Sequence, residues 1–446
     1  MTVPQLPPVM RHRDFNLYWF GVVFSQIGSR ATVAANLFQV YELTRSTVMT
    51  GFVGLAQAVA LVALSPLGGA YADRVDRRRL LQGAQAAALL VSAALAILTI
   101  SGVISAWEVI VSVLLTTAAA SFDQPARQAL IPAMVPRSEL AQAIALLNPS
   151  RELAVLTGPA LAGVCIALGG AGIVYTFDAV TYAVLVGVLA VLRIPHTPTS
   201  ARGTSVWRNI TEGAAFLSRR PLIWQFIVLD LSATLFGAYT VVLPALTLNV
   251  LHAGPAIYGL LASAPSAGAL LATYVVFRVA GRSSRLGRVA LYSTAGYGLA
   301  VIGLAQSPTV ALALLAGALI GGFDAMATTI RQAVVQLETP DDMRGRVTSL
   351  YVMASRGGPA VGNTWIGWLA GTLGPVEALT IGGLFPVLYS AFWLVRGGRV
   401  RDYSGAQPPA APAAPAVTAP PVPADARAAV PAEPDAAPPR SRPATD

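Results

Sequence analysis

Charged and amide side chains interrupt otherwise apolar stretches of this chain at a small number of positions. Arg30 lies near the middle of the apolar stretch 15–43, four residues after Gln26. A polar stripe with helical spacing runs beside them, formed by Ser25, Ser29, Thr32 and Asn36. A charge at the centre of a transmembrane helix costs about 2.5–3.5 kcal/mol on insertion scales. The stripe should therefore face protein or a water-filled space rather than lipid.

Further ionisable residues lie well inside later apolar stretches. They are Arg151, Glu152, Arg356 and Asp230, the last of which shares a helix face with Thr234 and Gly237. A buried carboxylate takes up a proton when it is desolvated and releases it when an arginine approaches. We therefore regard Asp230 as the first candidate for a proton carrier and Glu152 as the second. The alternative is that these charges form fixed structural ion pairs. The central arginines, Arg30, Arg151 and Arg356, favour an anionic or carbonyl-rich ligand.

Residues for enzymatic chemistry do not form a pattern in this sequence. Cys165 is the single cysteine, which excludes an internal disulfide and a thiolate metal cluster. The three histidines are scattered and make no helical metal pair. We find no nucleophile–base constellation, and we expect no enzyme activity, no cofactor and no metal.

The composition predicts that these residues are carried by membrane helices. The chain has 446 residues, of which 55% are hydrophobic and only 11% are charged, whereas soluble domains carry about 25% charged residues. A helix needs about 20 apolar residues to cross a bilayer. Twelve stretches of that kind predict an all-α polytopic membrane protein, with helices near 15–43, 47–71, 79–101, 106–130, 138–168, 172–193, 221–250, 255–280, 286–305, 308–336, 342–372 and 376–396.

The basic residues indicate how the helices are oriented. Arginines crowd alternate connections, such as 74–79 and 193–220, whereas the opposite connections contain Arg45 and almost no other basic residue. The positive-inside rule then places both termini in the cytoplasm of a bacterial cell, with the chain in its cytoplasmic membrane. It also explains the net charge of +9 without nucleic acid as a partner. The apolar run after residue 14 is too long for a cleavable signal peptide.

Two copies of one pattern divide the chain. Phe122-Asp123 followed by Arg127-Gln128-Ala129 is echoed about 200 residues later by Phe323-Asp324 followed by Arg331-Gln332-Ala333. Two homologous six-helix halves place a binding site between them, near the membrane midplane. The predicted organisation is a six-helix bundle over 1–194, a linker over 195–220, a second bundle over 221–403, and a disordered Pro- and Ala-rich tail over 404–446. The linker is either an interfacial amphipathic helix or a polar loop.

The run from Gly69 through Asp73, Arg74, Arg77 and Arg78 resembles the loop 2–3 signature of the major facilitator superfamily. The segment 122–132 resembles the branch of that superfamily that contains the enterobactin exporter and macrolide efflux proteins. Asp76 departs from the signature, since the wider superfamily has glycine there. The resemblance implies a cytoplasmic latch, in which Asp73 holds the start of helix 11 near residues 341–342 and the arginines pair with acids such as Asp123, beside Arg127. The alternative is that the arginines of this loop only fix the orientation of the neighbouring helices by the positive-inside rule.

In helix 5, Gly158, Pro159 and Gly163 resemble the antiporter motif of exporting branches. Pro159 removes a backbone donor and bends the helix, while the glycines let a neighbouring helix approach closely. The longer upstream glycine pattern is absent, because Arg151 and Glu152 stand there.

These features together predict a monomeric secondary-active exporter of small organic compounds, drug-like or siderophore-like, working in the lipid bilayer by proton antiport and alternating access. One alternative is an importer or facilitator on the same fold. The other is a non-transporting membrane scaffold or sensor.

Overall fold

The structure, a computed structural model, describes residues 7–72, 76–192, 206–280 and 285–404. The described backbone is almost entirely helical and contains no strand. The described residues belong to one compact unit. The tail predicted to be disordered lies beyond the described residues, apart from Ser404 itself.

The first six long helices follow the predicted apolar stretches closely. They are α1 (Arg13–Thr44), α2 (Thr47–Ala72), α3 (Arg77–Ile100), α4 (Ala106–Met134), α5 (Leu140–Gly169) and α6 (Ala171–Val191). Their ends have local causes: Arg45 adopts the left-handed conformation after α1, and Asp76 caps the start of α3. A short helix, α7 (Val206–Ser218), follows in the linker.

The second group begins with a helix that is broken. The prediction of a continuous helix over 221–250 was wrong, because the segment consists of α8 (Pro221–Leu231), a π-helical turn (Ser232–Phe236), α9 (Leu243–Ala245) and a second π-helical turn (Leu246–Val250). Two causes coincide at the break. Tyr297 packs against Gly237 and donates a hydrogen bond of 2.9 Å to its carbonyl. Pro244 has no amide to bond back along the chain.

The remaining helices again match the apolar pattern. They are α10 (Pro255–Ala280), α11 (Leu286–Ala305), α12 (Val310–Leu337), α13 (Asp341–Leu373) and α14 (Pro375–Arg396). Nine of the helices in the described ranges are long and apolar enough to cross a membrane. The other three bundle segments are α1 and α13, which carry more polar residues, and the broken segment from α8 to α9. With these three the described chain supplies twelve membrane segments.

Two groups of helices pack mainly within themselves. In the first group, α1 packs on α5 and α6, α3 on α4 and α6, and α2 on α4. In the second, α12 packs on α10 and α11, and α11 packs on α14. The groups meet along two helix pairs, α2 with α13 and α5 with α10. We call the side where α1 begins and α2 ends the near side, and the opposite side the far side.

Glycines allow the two groups to touch backbone to backbone at the far side. A Cβ atom added to Gly163 on α5 would lie 2.7 Å from the Cα of Gly259 on α10. A Cβ atom added to Gly367 on α13 would lie 2.6 Å from the Cα of Gly51 on α2. The two contacts are pseudo-equivalent, since each joins a fifth helix of one group to a second helix of the other.

Hydrogen bonds join the groups at the same side. The Tyr258 hydroxyl donates to the carbonyl of Ala34 at 2.9 Å, and its ring contacts Phe38 at 5.1 Å between centroids. The Asn249 amide donates to the Tyr41 hydroxyl at 2.6 Å. All three α1 residues lie in the last three turns of that helix, so the far side is held closed in this structure.

A short segment after α14 packs back onto the near side of the second group. Val400 is fully buried there, and the amide of Gly287 donates to the carbonyl of Tyr403 at 3.0 Å. The Tyr403 ring meets the edge of Phe226 on α8 at 6.0 Å. We call residues 397–404 the closing segment.

Candidate functional site

A cavity of about 370 Å³ lies inside the first group of helices, and all six of α1–α6 contribute to its wall. It extends from Tyr18 and Ile131, toward the near side, to Asn36 and Val113, toward the far side. The wall is rich in amide side chains and holds five charged residues, which are Arg30, Asp123, Arg127, Arg151 and Asp178. The cavity can therefore hold a small polar ligand inside the bundle.

The polar stripe of α1 lies along this cavity. The structure places Gln26, Arg30 and Asn36 in the wall. The flanking hydroxyls bond to neighbouring helices: Ser29 is 2.8 Å from the Tyr182 hydroxyl, and Ser25 donates to Gln85 at 3.2 Å. The stripe thus has two functions, since one edge joins α1 to its neighbours and the other faces open space.

Asp123 and Arg127 form an ion pair one helical turn apart on α4. The Arg127 Nε lies 2.5 Å from one carboxylate oxygen of Asp123, and the Gln85 amide donates to the other at 2.6 Å. Both side chains are largely buried, so the pair brings opposite charges into the wall with little net charge. The predicted latch pairs Asp123 with arginines of the loop before α3; of that loop Arg74 lies outside the described residues, so the latch stays a prediction.

Asp178 on α6 has a different environment. One of its oxygens accepts hydrogen bonds from the hydroxyls of Thr32, at 2.9 Å, and Ser92, at 2.8 Å. The other oxygen, Oδ1, lies against Gly28 and has no hydrogen-bond partner among the described residues. Asp178 is absent from the sequence-based candidates, because its partners are far away along the chain.

Arg151 on α5 also lines the cavity, whereas its neighbour Glu152 is an exposed residue outside the lining. Gly158, two turns further along α5, packs directly on Arg30. A Cβ atom added to Gly158 would lie 2.5 Å from the Cβ of Arg30 and 3.0 Å from the amide nitrogen of Ala31. The absence of a side chain at Gly158 therefore allows α5 to pack directly against α1 at Arg30.

The helix 5 motif contacts two different helices. Gly158 faces α1, while Pro159 and Gly163 face Gly259 on α10 in the second group. The motif thus links the wall of the cavity to the contact between the two groups. Its counterpart on α13 repeats this arrangement, because Gly358 packs on Thr234 and Gly367 packs on Gly51.

Asp230 lies in the interior of the second group, away from the cavity lining. The guanidinium of Arg331 on α12 is 2.6 Å from its carboxylate and 3.6 Å from that of Asp324. The hydroxyl of Ser355 on α13 donates to Asp230 at 2.7 Å. Arg331 is absent from the sequence-based candidates, although it occupies the position in the repeated motif that corresponds to Arg127. The side chain of Arg356 lies outside the described residues.

The loop between α2 and α3 is described only in part. Asp73, Arg74 and the surroundings of Gly69 lie outside the described residues. The Arg78 side chain donates to the carbonyls of Leu189 and Ala190, at 2.6 and 2.7 Å. It therefore binds carbonyls at the end of α6, which have no partner within that helix. Asp76, the departure from the loop signature, accepts hydrogen bonds from the amides of residues 78 and 79 and so caps α3.

The model of the family described as transmembrane secretion effector, within the major facilitator superfamily, matches residues 5–416. The chain belongs to this family.

Curated relatives of this family member are exporters. It is 28% identical over 376 residues to the enterobactin exporter EntS of Citrobacter koseri, which covers 84% of this chain and 89% of the relative. It is 27% identical over 372 residues to the enterobactin exporter EntS of Salmonella typhimurium, with 83% and 89% covered. The comparisons establish a small-molecule transporter and a multi-pass membrane protein.

Solved structures agree on the fold of this transporter. A bacterial homologue of the human lysosomal transporter Spinster, in an inward-facing and unoccupied conformation, superposes with a TM-score of 0.70. It is 13% identical, and the match covers 89% of this chain and 98% of that one. A D-xylose–proton symporter matches with a TM-score of 0.65 and 13% identity, covering 88% and 99%. The predicted major facilitator fold is confirmed.

Proposed function

We propose that this transporter exports small organic compounds of drug-like or siderophore-like character in exchange for protons, by alternating access. The observation that carries the proposal is the polar cavity among α1–α6, whose lining includes arginines and carboxylates. A non-transporting scaffold would have little reason to keep such charges inside a bilayer, because each costs free energy to insert. The relatives named as enterobactin exporters support the outward direction.

The side from which the cavity is loaded follows from the predicted topology. The arginine bias puts the near side in the cytoplasm. The cavity extends toward that side as far as Tyr18 and Ile131, while the glycine contacts and the Tyr258 hydrogen bond hold the far side closed. A compound would enter from the cytoplasm in this state and leave after the two groups rock open at the far side.

The charges of the wall indicate the kind of compound that binds. Asp123 and Arg127 compensate each other at 2.5 Å, and the wall also contains two further arginines, Arg30 and Arg151, and one further carboxylate, Asp178. Amide side chains such as Gln26, Asn36 and Asn148 add donors and acceptors. We infer a ligand that carries acidic or carbonyl oxygens together with polar groups, as predicted from the sequence.

Proton coupling needs a carboxylate whose partner changes between states. The sequence favours Asp230, with Glu152 second. In this structure Asp230 is held by Arg331 and Ser355, so proton loading at Asp230 requires Arg331 to move toward Asp324. Asp230→Asn should abolish efflux driven by a pH gradient while expression stays normal, since Arg331 keeps a second carboxylate at 3.6 Å. Unimpaired efflux would exclude this function for Asp230.

The test of the whole proposal is an accumulation assay. Cells with and without the protein are compared for retention of a panel of siderophores, macrolides and dyes, under imposed pH gradients. We expect lower retention of at least one compound in cells with the protein, and loss of that difference when the gradient is collapsed. Growth rescue on a single carbon source, with retention of the panel unchanged, would favour an importer and overturn the proposal.

A further inference from the structure

The charged residues of the cavity wall differ in the partners that the protein gives them. Asp123 and Arg127 form an ion pair at 2.5 Å, and Asp178 accepts hydrogen bonds from two hydroxyls. Arg30 is also engaged by an interaction within the protein. Arg151 is different, because its guanidinium forms no hydrogen bond or ion pair with any of the described residues. Its charge in the cavity is therefore left for a ligand to compensate.

The backbone of α5 is held firmly on both sides of Arg151. The indole of Trp19 on α1 donates a hydrogen bond of 3.0 Å to the hydroxyl of Ser150, which is 9% exposed. Two turns further along, Gly158 packs directly on Arg30. The side chain of Arg151 itself is exposed in the cavity wall. A free donor group on a fixed backbone is the arrangement that binds a ligand at the least cost in entropy.

The depth of Arg151 in the bundle makes an uncompensated charge costly. It lies eleven residues after Leu140, where α5 begins, which is about 16 Å along the helix axis. A charge deep in a bilayer costs about 2.5–3.5 kcal/mol on insertion scales. The protein offsets that cost for Arg127 with an acid one turn away. A function at the cavity surface explains why Arg151 has no such acid.

Neutral amide groups surround the same space and add further donors and acceptors. Asn148 lies three residues before Arg151, on the same face of α5. Gln124 on α4 and Gln26 on α1 also line the cavity. A ligand that is held at Arg151 can therefore place hydroxyl or amide groups against these carboxamides.

The shape of the guanidinium indicates which anion it binds best. Its planar donors match the two oxygens of a carboxylate, with two parallel N–H···O bonds. The carboxylates of Asp123 and Asp178 in the same wall disfavour a second acidic group on the ligand. We propose that Arg151 binds the carboxylate of an organic monocarboxylic acid, and so makes the cavity prefer such acids to their esters and amides. This inference rests on the proposed function for the export of the acid, but the binding site can be tested without transport.

The first test is protection of Arg151 from an arginine-directed reagent. The purified full chain is treated with phenylglyoxal, and the modification of each arginine is followed by peptide mass spectrometry. Arg151 should react, whereas Arg127 and Arg331 should not, since both are buried in ion pairs. Benzoate at ten times its half-protecting concentration should slow the reaction at Arg151 about tenfold, because the occupied protein does not react. Benzamide, which has the same ring but no charge, should leave the rate unchanged.

The control within the same sample is Arg219, which is exposed at the end of the linker. Benzoate should leave the modification of Arg219 unchanged, which shows that the reagent itself is not consumed. The proposal is overturned if Arg151 does not react, if benzoate fails to protect it, or if benzamide protects it equally well.

The second test compares two probes that differ only in the acid group. Proteoliposomes are supplied with a free-acid rhodamine or with its methyl ester, under an imposed pH gradient. The wild type should transport the acid about tenfold faster than the ester, the ratio that a charged hydrogen bond supplies. Arg151→Gln should make the two rates equal, and Arg151→Lys should restore part of the preference. A merely structural function of Arg151 would lower both rates together.

The outcomes separate the site from the proposed function. A wild-type ratio of acid to ester in Arg151→Gln contradicts the assignment of Arg151. Transport of both probes that ignores the pH gradient contradicts the proposed antiport, whereas protection by benzoate still supports the carboxylate site.

Discussion

The guanidinium of Arg331 lies 2.6 Å from the carboxylate of Asp230, and both side chains are at most 1% exposed. The two residues are 101 positions apart in the sequence, on α12 and α8. A third helix, α13, joins them through Ser355. This cluster is a polar centre of the second group, just as Asp123, Arg127 and Gln85 are in the first.

Removing the cation from the polar centre of the second group should destabilise the protein strongly. Arg331→Met leaves Asp230 and Asp324 without a counter-ion, and breaking a buried pair from one side costs about 3–5 kcal/mol. The double variant Asp230→Asn with Arg331→Met should recover part of that loss, since fewer charges remain buried. Thermal unfolding in detergent measures both. Equal melting temperatures for the wild type and Arg331→Met would show that the pair adds nothing to stability.

A methyl group at position 158 should impair transport by displacing Arg30. The added Cβ would lie 2.5 Å from the Arg30 Cβ, and overpacking of this kind costs about 1–3 kcal/mol. Gly158→Ala should therefore reduce efflux more than it reduces expression. Gly187→Ala on α6 is the matched control, because a Cβ there meets nothing within 4 Å. Identical efflux from the two variants would contradict a positioning function for Gly158.

The sequence predicts the helices better than the contacts between them. Eleven of the twelve apolar stretches became single helices because hydrophobic length alone defines a membrane span. The break after Phe236 was missed, since apolarity continues through it and the cause is a tyrosine sixty residues away. Asp178 was undervalued for the same reason: its hydroxyl partners are 146 and 86 residues distant. Arg331 could have been found by applying the internal duplication to Arg127.

Widening the far-side contact should hold the transporter open on that side. Gly259→Ala would place a Cβ 2.5 Å from the carbonyl of Pro159 and 2.7 Å from the Cα of Gly163. Backbone atoms cannot rotate away, so α5 and α10 must separate. A cysteine at position 36, in a chain with Cys165→Ser, should then react faster with a membrane-impermeant thiol reagent added at the far side.

The control for this experiment lies on the same side of the molecule. A Cβ at Gly254 meets nothing within 4 Å, so Gly254→Ala should label at the rate of the parent chain. If Gly259→Ala also labels at that rate, the contact of α5 with α10 does not keep the far side closed.

The closing segment gives a prediction about pH. Burial raises the pKa of the Tyr403 phenol to about 12, and a hydrogen bond with Glu338 acts in the same direction. The ordinary value is about 10, so the contribution of Tyr403 to stability is complete below pH 10 and is lost as the pH rises through 12. Ultraviolet titration of tyrosinate should show that Tyr403→Phe lacks a component near pH 12. If the component that Tyr403→Phe loses titrates near pH 10 instead, the Tyr403 ring is exposed to solvent.

Helix α5 touches Arg30 with Gly158 and the opposite bundle with Gly163, five residues later on another face. A mutation at the contact between α5 and α10 can therefore change how a ligand is bound without altering a residue of the cavity wall. Bacteria selected for a new resistance or a new secreted product would be expected to acquire changes at this contact as well as in the cavity itself. Surveys of such strains that sequence only the ligand-facing positions would overlook changes at the contact between α5 and α10.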